Sequence, residues 1–202
     1  THIKMMASGG NFTPSSNPRI SQFSLKTIQE TVNYCNKNNT YLCAHTLSRK
    51  STIQCIESGV QNIIHGRWFD ESPDKAYSFN KEYSKMIVDK GLFVDSTISK
   101  HLLEYESKLM GEKQRASNPN VKSEPTLESI INIFRYLDSE GVKIIGALDM
   151  GMSRADFNKA AASAWVHAEW LGFDHWKAIR SITITNAEAL RIEKSKGLIS
   201  KG

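Results

Sequence analysis

The chain is poor in the features that would place it outside ordinary globular proteins. Cysteine occurs 3 times in 202 residues, as Cys35, Cys43 and Cys55, with no Cys-x-x-Cys spacing. That excludes a disulfide scaffold, and the free thiols point to a reducing compartment such as the cytoplasm. No apolar run reaches the length of a membrane span, in keeping with a mean hydropathy of −0.40, so no membrane partner is expected. Charge of one sign is nowhere concentrated. Lys+Arg 26 against Asp+Glu 21 gives a formal charge of +5, but the two signs interleave, so no nucleic-acid footprint is expected either. Glycine-rich turns are scarce: Ser8-Gly9-Gly10 follows an apolar run but lacks the G-x-G-x-x-G spacing of a dinucleotide site. There is no low-complexity tract and no solenoid period. An initiating Met is also lacking, since the sequence opens Thr1-His2-Ile3-Lys4; no leader can be judged, and we expect a segment of a longer protein.

What is present is an alternation. Hydrophobic residues make up 40% of the chain, enough for a core of one domain. Strand-like runs are expected at residues 3–7, 41–45, 62–65, 92–98 and 142–148. Helical spacing lies between them, at residues 23–38, from Ser48 or Ser51 to Gly59, from Asn80 to Gly91, and from Thr126 to Gly141. Residues 104–125 are polar and read as an excursion or lid. The remainder reads as helical at residues 154–171, 174–181 and 186–192. Five strand–helix alternations predict an α/β fold with a parallel sheet and right-handed crossovers.

The strand ends carry the chemistry. Lys4 lies on the first strand, His45 ends the second, His65 the third and Thr97 the fourth, while Asp149 follows the fifth. A period of two pairs Lys4 with His2 and Met6, His45 with Cys43, and His65 with Ile63. Taken singly, each has an ordinary explanation: a core histidine, a snorkelling lysine, a turn aspartate. Taken together at equivalent strand ends, two His, one Lys and one Asp form a metal-site composition. Arg67 and Arg154 follow His65 and Asp149 closely enough to reach a substrate carboxylate, though a surface position is the expectation for both. Trp165, Trp170 and Trp176 read as helix packing.

These pieces resemble the amidohydrolase superfamily, in its imidazolonepropionase-like and prolidase-like dipeptidase branch. The residues that carry the likeness are His2 to Gly10, Ala44-His45, Gly59-Val60 leading to Ile64-His65-Gly66, Gly141 to Asp149, and Thr183 to Leu190 followed by Gly197 to Gly202. The resemblance implies a partial TIM (β/α)8 barrel, its five strands equivalent to strands 4–8, over residues 1–192. Residues 193–202 would begin a truncated β-sandwich segment. It further implies a metal-dependent hydrolase of amide, dipeptide or cyclic-amide bonds, with one or two divalent ions, zinc being expected. Lys4, carboxylated, would bridge the ions with His45, His65 and Asp149 as further ligands, and Asp149 would also handle the proton.

The departures are specific. The family's His-x-His pair occurs nowhere here, Ile64 replaces an acidic residue before the strand-six histidine, and Leu148 replaces a Thr before the last Asp. A five-stranded piece would expose sheet edges, so a homo-oligomer is expected. The rival expectation is a catalytically inactive, self-associating α/β module.

Overall fold

The computed structural model describes residues 1–109, 123, 125–151 and 155–201. Most of the expected lid segment, the start of the expected helix at 154, and Arg154 itself lie outside the described residues.

The first strand, β1 (Ile3–Met6), leads through a long loop into α1 (Leu25–Lys37). Next come β2 (Leu42–Ser48), α2 (Arg49–Ser58), β3 (Asn62–Phe69), α3 (Glu82–Asp89), β4 (Phe93–Asp95) and α4 (Lys100–Leu109). They are followed by α5 (Leu127–Ser139), β5 (Lys143–Ile145) and a 3-10 turn at Phe157–Lys159. The last helices are α6 (Ala162–Leu171), α7 (His175–Ile182) and α8 (Ile184–Ala189). The five strands pair in sequence order and all in parallel. The architecture is thus part of a (β/α)8 barrel, five parallel strands with flanking helices.

Local chemistry sets the boundaries. The Ser24, Ser48 and Thr126 hydroxyls accept backbone N–H bonds and open α1, α2 and α5. Gly59 closes α2 with a left-handed φ of 76°, a conformation glycine adopts without steric cost. Asn80 does not cap α3, which starts from Lys81 with no side-chain cap bond. The strands depart from the expected lengths in both directions. β2 and β3 run on to Ser48 and Phe69, because both are buried on both faces and show no alternation to mark their ends. β4 and β5 stop after three residues each, as the chain after them turns into loops.

One core lies between sheet and helices, with Ile28, Ile56, Ile63, Ile87, Phe134 and Val166 fully covered. Phe134 and Ile63 each remove on the order of 2–3 kcal/mol of apolar surface from water. Cys35, Cys43 and Cys55 are all free and buried; burial pushes the Cys43 and Cys55 thiols up to about 11 and about 12. Trp165 and Trp176 are exposed, at 50% and 78%, so neither belongs to the core. Trp170 does pack partly against the core and meets Trp165 edge to face.

Arg19, in the loop after β1, is 2% exposed. Its guanidinium donates to the carbonyls of Asp70, Ser72 and Lys75 at 2.7, 3.2 and 2.8 Å, and to that of Ser123. It also lies over the Phe69 ring. One buried cation therefore holds three separate stretches of chain together.

Candidate active site at the strand ends

The inner face of the sheet lines an open cleft of about 250 Å³, bordered by Lys4, Cys43, Asn62, Ile64, Asp95 and Ala147, among others. Lys4 pairs with Cys43 and Met6 with His45, so Lys4 sits two residues, about 7 Å, below the level of His45. Its side chain is exposed.

His45 and His65 do not end their strands, which run on to Ser48 and Phe69; the two rings meet from the middle of β2 and β3, their centroids 4.6 Å apart and nearly perpendicular. Strict alternation would put His65 with Ile63 on the helix side, where Ile63 is buried in the core. Instead His65 adopts φ 72°, which breaks the period of two and brings its ring to His45. Thr97 (φ 41°) and Asp149 (φ 56°) are likewise left-handed. Such conformations are uncommon for side chains with a Cβ and gather where structure serves a site.

Each histidine is held by its surroundings. His45 Nε2 lies 3.1 Å from the Gly9 carbonyl; a carbonyl only accepts, so Nε2 carries the proton and Nδ1 keeps the lone pair. His65 Nδ1 lies 2.8 Å from Thr97 Oγ1, to which Arg67 also donates at 3.3 Å. Burial pushes the His45 pKa down, opposed by the Gly9 bond. Burial also holds His65 well below its ordinary value, aided by His45 and Arg67. Both shifts favour the neutral rings.

Asp149 stands exposed in the turn after β5, anchored by the buried Leu148, which packs with Leu103 and Ala155. It is close enough to raise the His45 and Asp95 values. Lys4 acts in the opposite sense on the same two groups. Among the described residues no three His, Cys, Asp or Glu side chains converge to hold a metal ion. The histidine pair is built, whereas among the described residues no hydrogen bond or ion pair joins Lys4 or Asp149 to it.

Two residues were misjudged or missed in the sequence. Arg67 is not on the surface: it is 5% exposed, bonded to Thr97 and placed over the Phe134 ring at 6.0 Å. Asp95, the last residue of β4, lines the cleft and is 7% exposed. Burial pushes its carboxyl up to about 7, against the Thr97 N–H bond and with the Asp149 charge adding to the rise. A carboxylate inside the apolar run at 92–98 was the available signal, since burying such a group is costly without a purpose.

Parallel strands in a partial (β/α)8 barrel, with polar side chains on the strands and in the loops that follow them, define the class. The sequence profile described as the amidohydrolase family matches residues 2–202, and the chain belongs to that family. No curated protein sequence matches it. Solved structures do. A Xaa-Pro dipeptidase with methionine bound in its active site superposes with TM-score 0.77 at 24% identity, over 100% of this chain and 46% of its own. Ochratoxinase from A. niger gives 0.77 at 20% identity, covering 100% and 42%. A putative prolidase from Bifidobacterium longum gives 0.76 at 18%, covering 100% and 47%. The chain therefore spans less than half the length of these structures.

Proposed function

We propose that this chain forms part of a metal-dependent hydrolase that cleaves carbon–nitrogen bonds in small amides, dipeptides among them. The observation that carries the proposal is the His45–His65 ring pair on the neighbouring strands β2 and β3. Two unprotonated imidazoles 4.6 Å apart fit a borderline divalent ion such as zinc, and the carbonyl bond at His45 Nε2 is the outer-shell pattern of ligating histidines. The family membership and the dipeptidase and prolidase names of the structural neighbours support the substrate class.

In this proposal His45, His65, a carboxylated Lys4 and Asp149 hold the metal. Carboxylation joins the neutral Lys4 amine to carbon dioxide with loss of one proton, giving two anionic oxygens where an ammonium offers none. The bound ion would supply Lewis acidity toward the amide carbonyl and toward water. Asp149 accepts the proton that water loses as its oxygen bonds to the carbonyl carbon. It then returns that proton to the leaving nitrogen as the C–N bond breaks. The substrate is a small molecule.

Metal content by plasma emission, on protein purified without chelators, tests the proposal. We expect about one equivalent per chain, lost in a His45→Ala His65→Ala double variant, with turnover of dipeptides or cyclic amides. Folded protein that takes up no zinc would refute it.

A second reading, self-association, rests on β1 and β5, each paired on one side among the described residues, and on Met6, 45% exposed on β1. Sedimentation should show a dimer or higher species at micromolar concentration. A compact monomer would dismiss it.

A further inference from the structure

We propose that Arg67 is a positioning residue: through the Thr97 hydroxyl it sets which nitrogen of His65 carries the proton. The metal-free site then presents an unlike pair, a lone pair on His45 Nδ1 beside an N–H on His65 Nε2. This rests on taking the two histidines as the reaction centre.

A guanidinium only donates, so the 3.3 Å contact from Arg67 to Thr97 Oγ1 uses one lone pair of the hydroxyl. Thr97 is 1% exposed, so its own hydrogen needs a protein acceptor. The acceptor within reach is His65 Nδ1 at 2.8 Å. Donation therefore runs Arg67 to Thr97 to His65 Nδ1, and the proton of the neutral imidazole rests on Nε2. Each link in the chain polarises the next. The left-handed backbone at both His65 and Thr97 brings the two side chains together.

The opposite result holds at a second buried histidine. The Ser181 hydroxyl donates to the Ala178 carbonyl at 2.7 Å, so it accepts from His167 Nδ1 at 2.8 Å. His167 Nε2 then accepts from the Ser96 hydroxyl at 3.1 Å. His167 is therefore the Nδ1–H form.

The consequence at the site is an inequality between the ligands. His45 offers its lone pair as it stands. His65 can offer Nε2 to a cation only after its proton moves to Nδ1 and the Thr97 hydroxyl turns away. Arg67 thereby makes His45 the first ligand and His65 the conditional one.

Ring ¹⁵N spectra of histidine-labelled, metal-free protein test the proposal, with His167 as internal standard. We expect opposite patterns, Nε2–H at His65 and Nδ1–H at His167. Arg67→Met leaves Thr97 Oγ1 without its donor, so a population of Nδ1–H should appear at His65 while His167 stays unchanged. Arg67→Gln, which keeps an N–H donor, should restore the wild-type pattern. Nδ1–H at His65 in the wild type overturns the proposal, as does an Arg67→Met spectrum identical to wild type. Should Arg67→Met fail to fold, Thr97→Val carries the test: an unmoved His65 Nδ1 resonance overturns the proposal, and loss of its hydrogen-bonded shift supports it. Failure of the metal proposal reads out separately, as absent zinc with these spectra intact.

Discussion

Gly9 and His45 stand 36 positions apart in sequence, and the carbonyl of the first accepts the Nε2 proton of the second at 3.1 Å. The loop after β1 therefore orients a candidate ligand on β2. A Cβ at Gly9 would lie 2.2 Å from the Asn17 carbonyl oxygen, so the loop has no room for one. Gly9→Ala should destabilise by about 1–3 kcal/mol in urea unfolding. It should also push the His45 pKa further down by removing the bond that raises it. A His45 titration by NMR that matches wild type would count against this orienting role.

In the proposed metal centre the edge-to-face pair of His45 and His65 supplies two ligands, so uptake should depend on both rings. His45→Ala should abolish retention of zinc, and His65→Ala should weaken it at least tenfold, about 1.4 kcal/mol. Zinc titration followed by dialysis checks the order. Equal losses in the two variants would contradict the inequality drawn from the Thr97 contact.

Asp95 gives the protein a pH dependence on the alkaline side. Its folded value of about 7 lies above the ordinary 3.8, so the folded state binds a proton more tightly than the unfolded chain. The stability it contributes is complete below about pH 4 and is lost as pH rises through about 7, a change on the order of 4 kcal/mol at most. Asp95→Asn should unfold at higher urea than wild type at pH 8, with little difference near pH 4. Identical midpoints at pH 8 would show that the buried carboxyl carries no such cost.

His167 acts with the opposite sign. Burial lowers it from 6.5 to about 4, so its contribution is present above about pH 6.5 and is lost as pH falls through about 4. The size is on the order of 3 kcal/mol. Between pH 4 and 6.5 the Asp95 and His167 slopes oppose each other, which flattens the wild-type profile. His65 and His45, also lowered by burial, act in the same sense as His167, so His167→Gln should lose less stability than wild type as the solution is acidified from pH 6.5 to 4. Its pH profile matching wild type would rule this out.

The sequence carried the fold through its alternation and its punctuation. Thr126, Gly59 and Gly141 stop or start helices for local reasons, and local reasons are visible in a sequence. Strand ends were harder. Every residue of β2 is buried, so nothing in its composition marks where it stops. The His45–His65 pair was visible as two histidines after apolar runs, but its geometry was not, because it depends on a backbone conformation at His65 that residue type does not announce. Arg67 was misplaced for a related reason. An arginine after a strand is ordinarily exposed, and only the approach of Thr97 and Phe134 from distant elements gives its guanidinium a buried seat. Asp95 could have been found from its neighbours alone, an acid among Leu92, Phe93, Val94 and Ile98.

The Arg19 clasp bears on how this scaffold can be altered. Its guanidinium takes carbonyls at Asp70, Ser72, Lys75 and Ser123, so the rims above β1 and β3 share one fastening. Main-chain oxygens are present whatever the side chains, so the clasp itself constrains the path of those segments and not their side chains, although Asp70 also holds its own turn through Ser72 and Ser78. Grafting a loop from a relative at any one of them would leave a buried cation short of acceptors. The rim is thus exchangeable as a set, with Arg19 included, and not piece by piece.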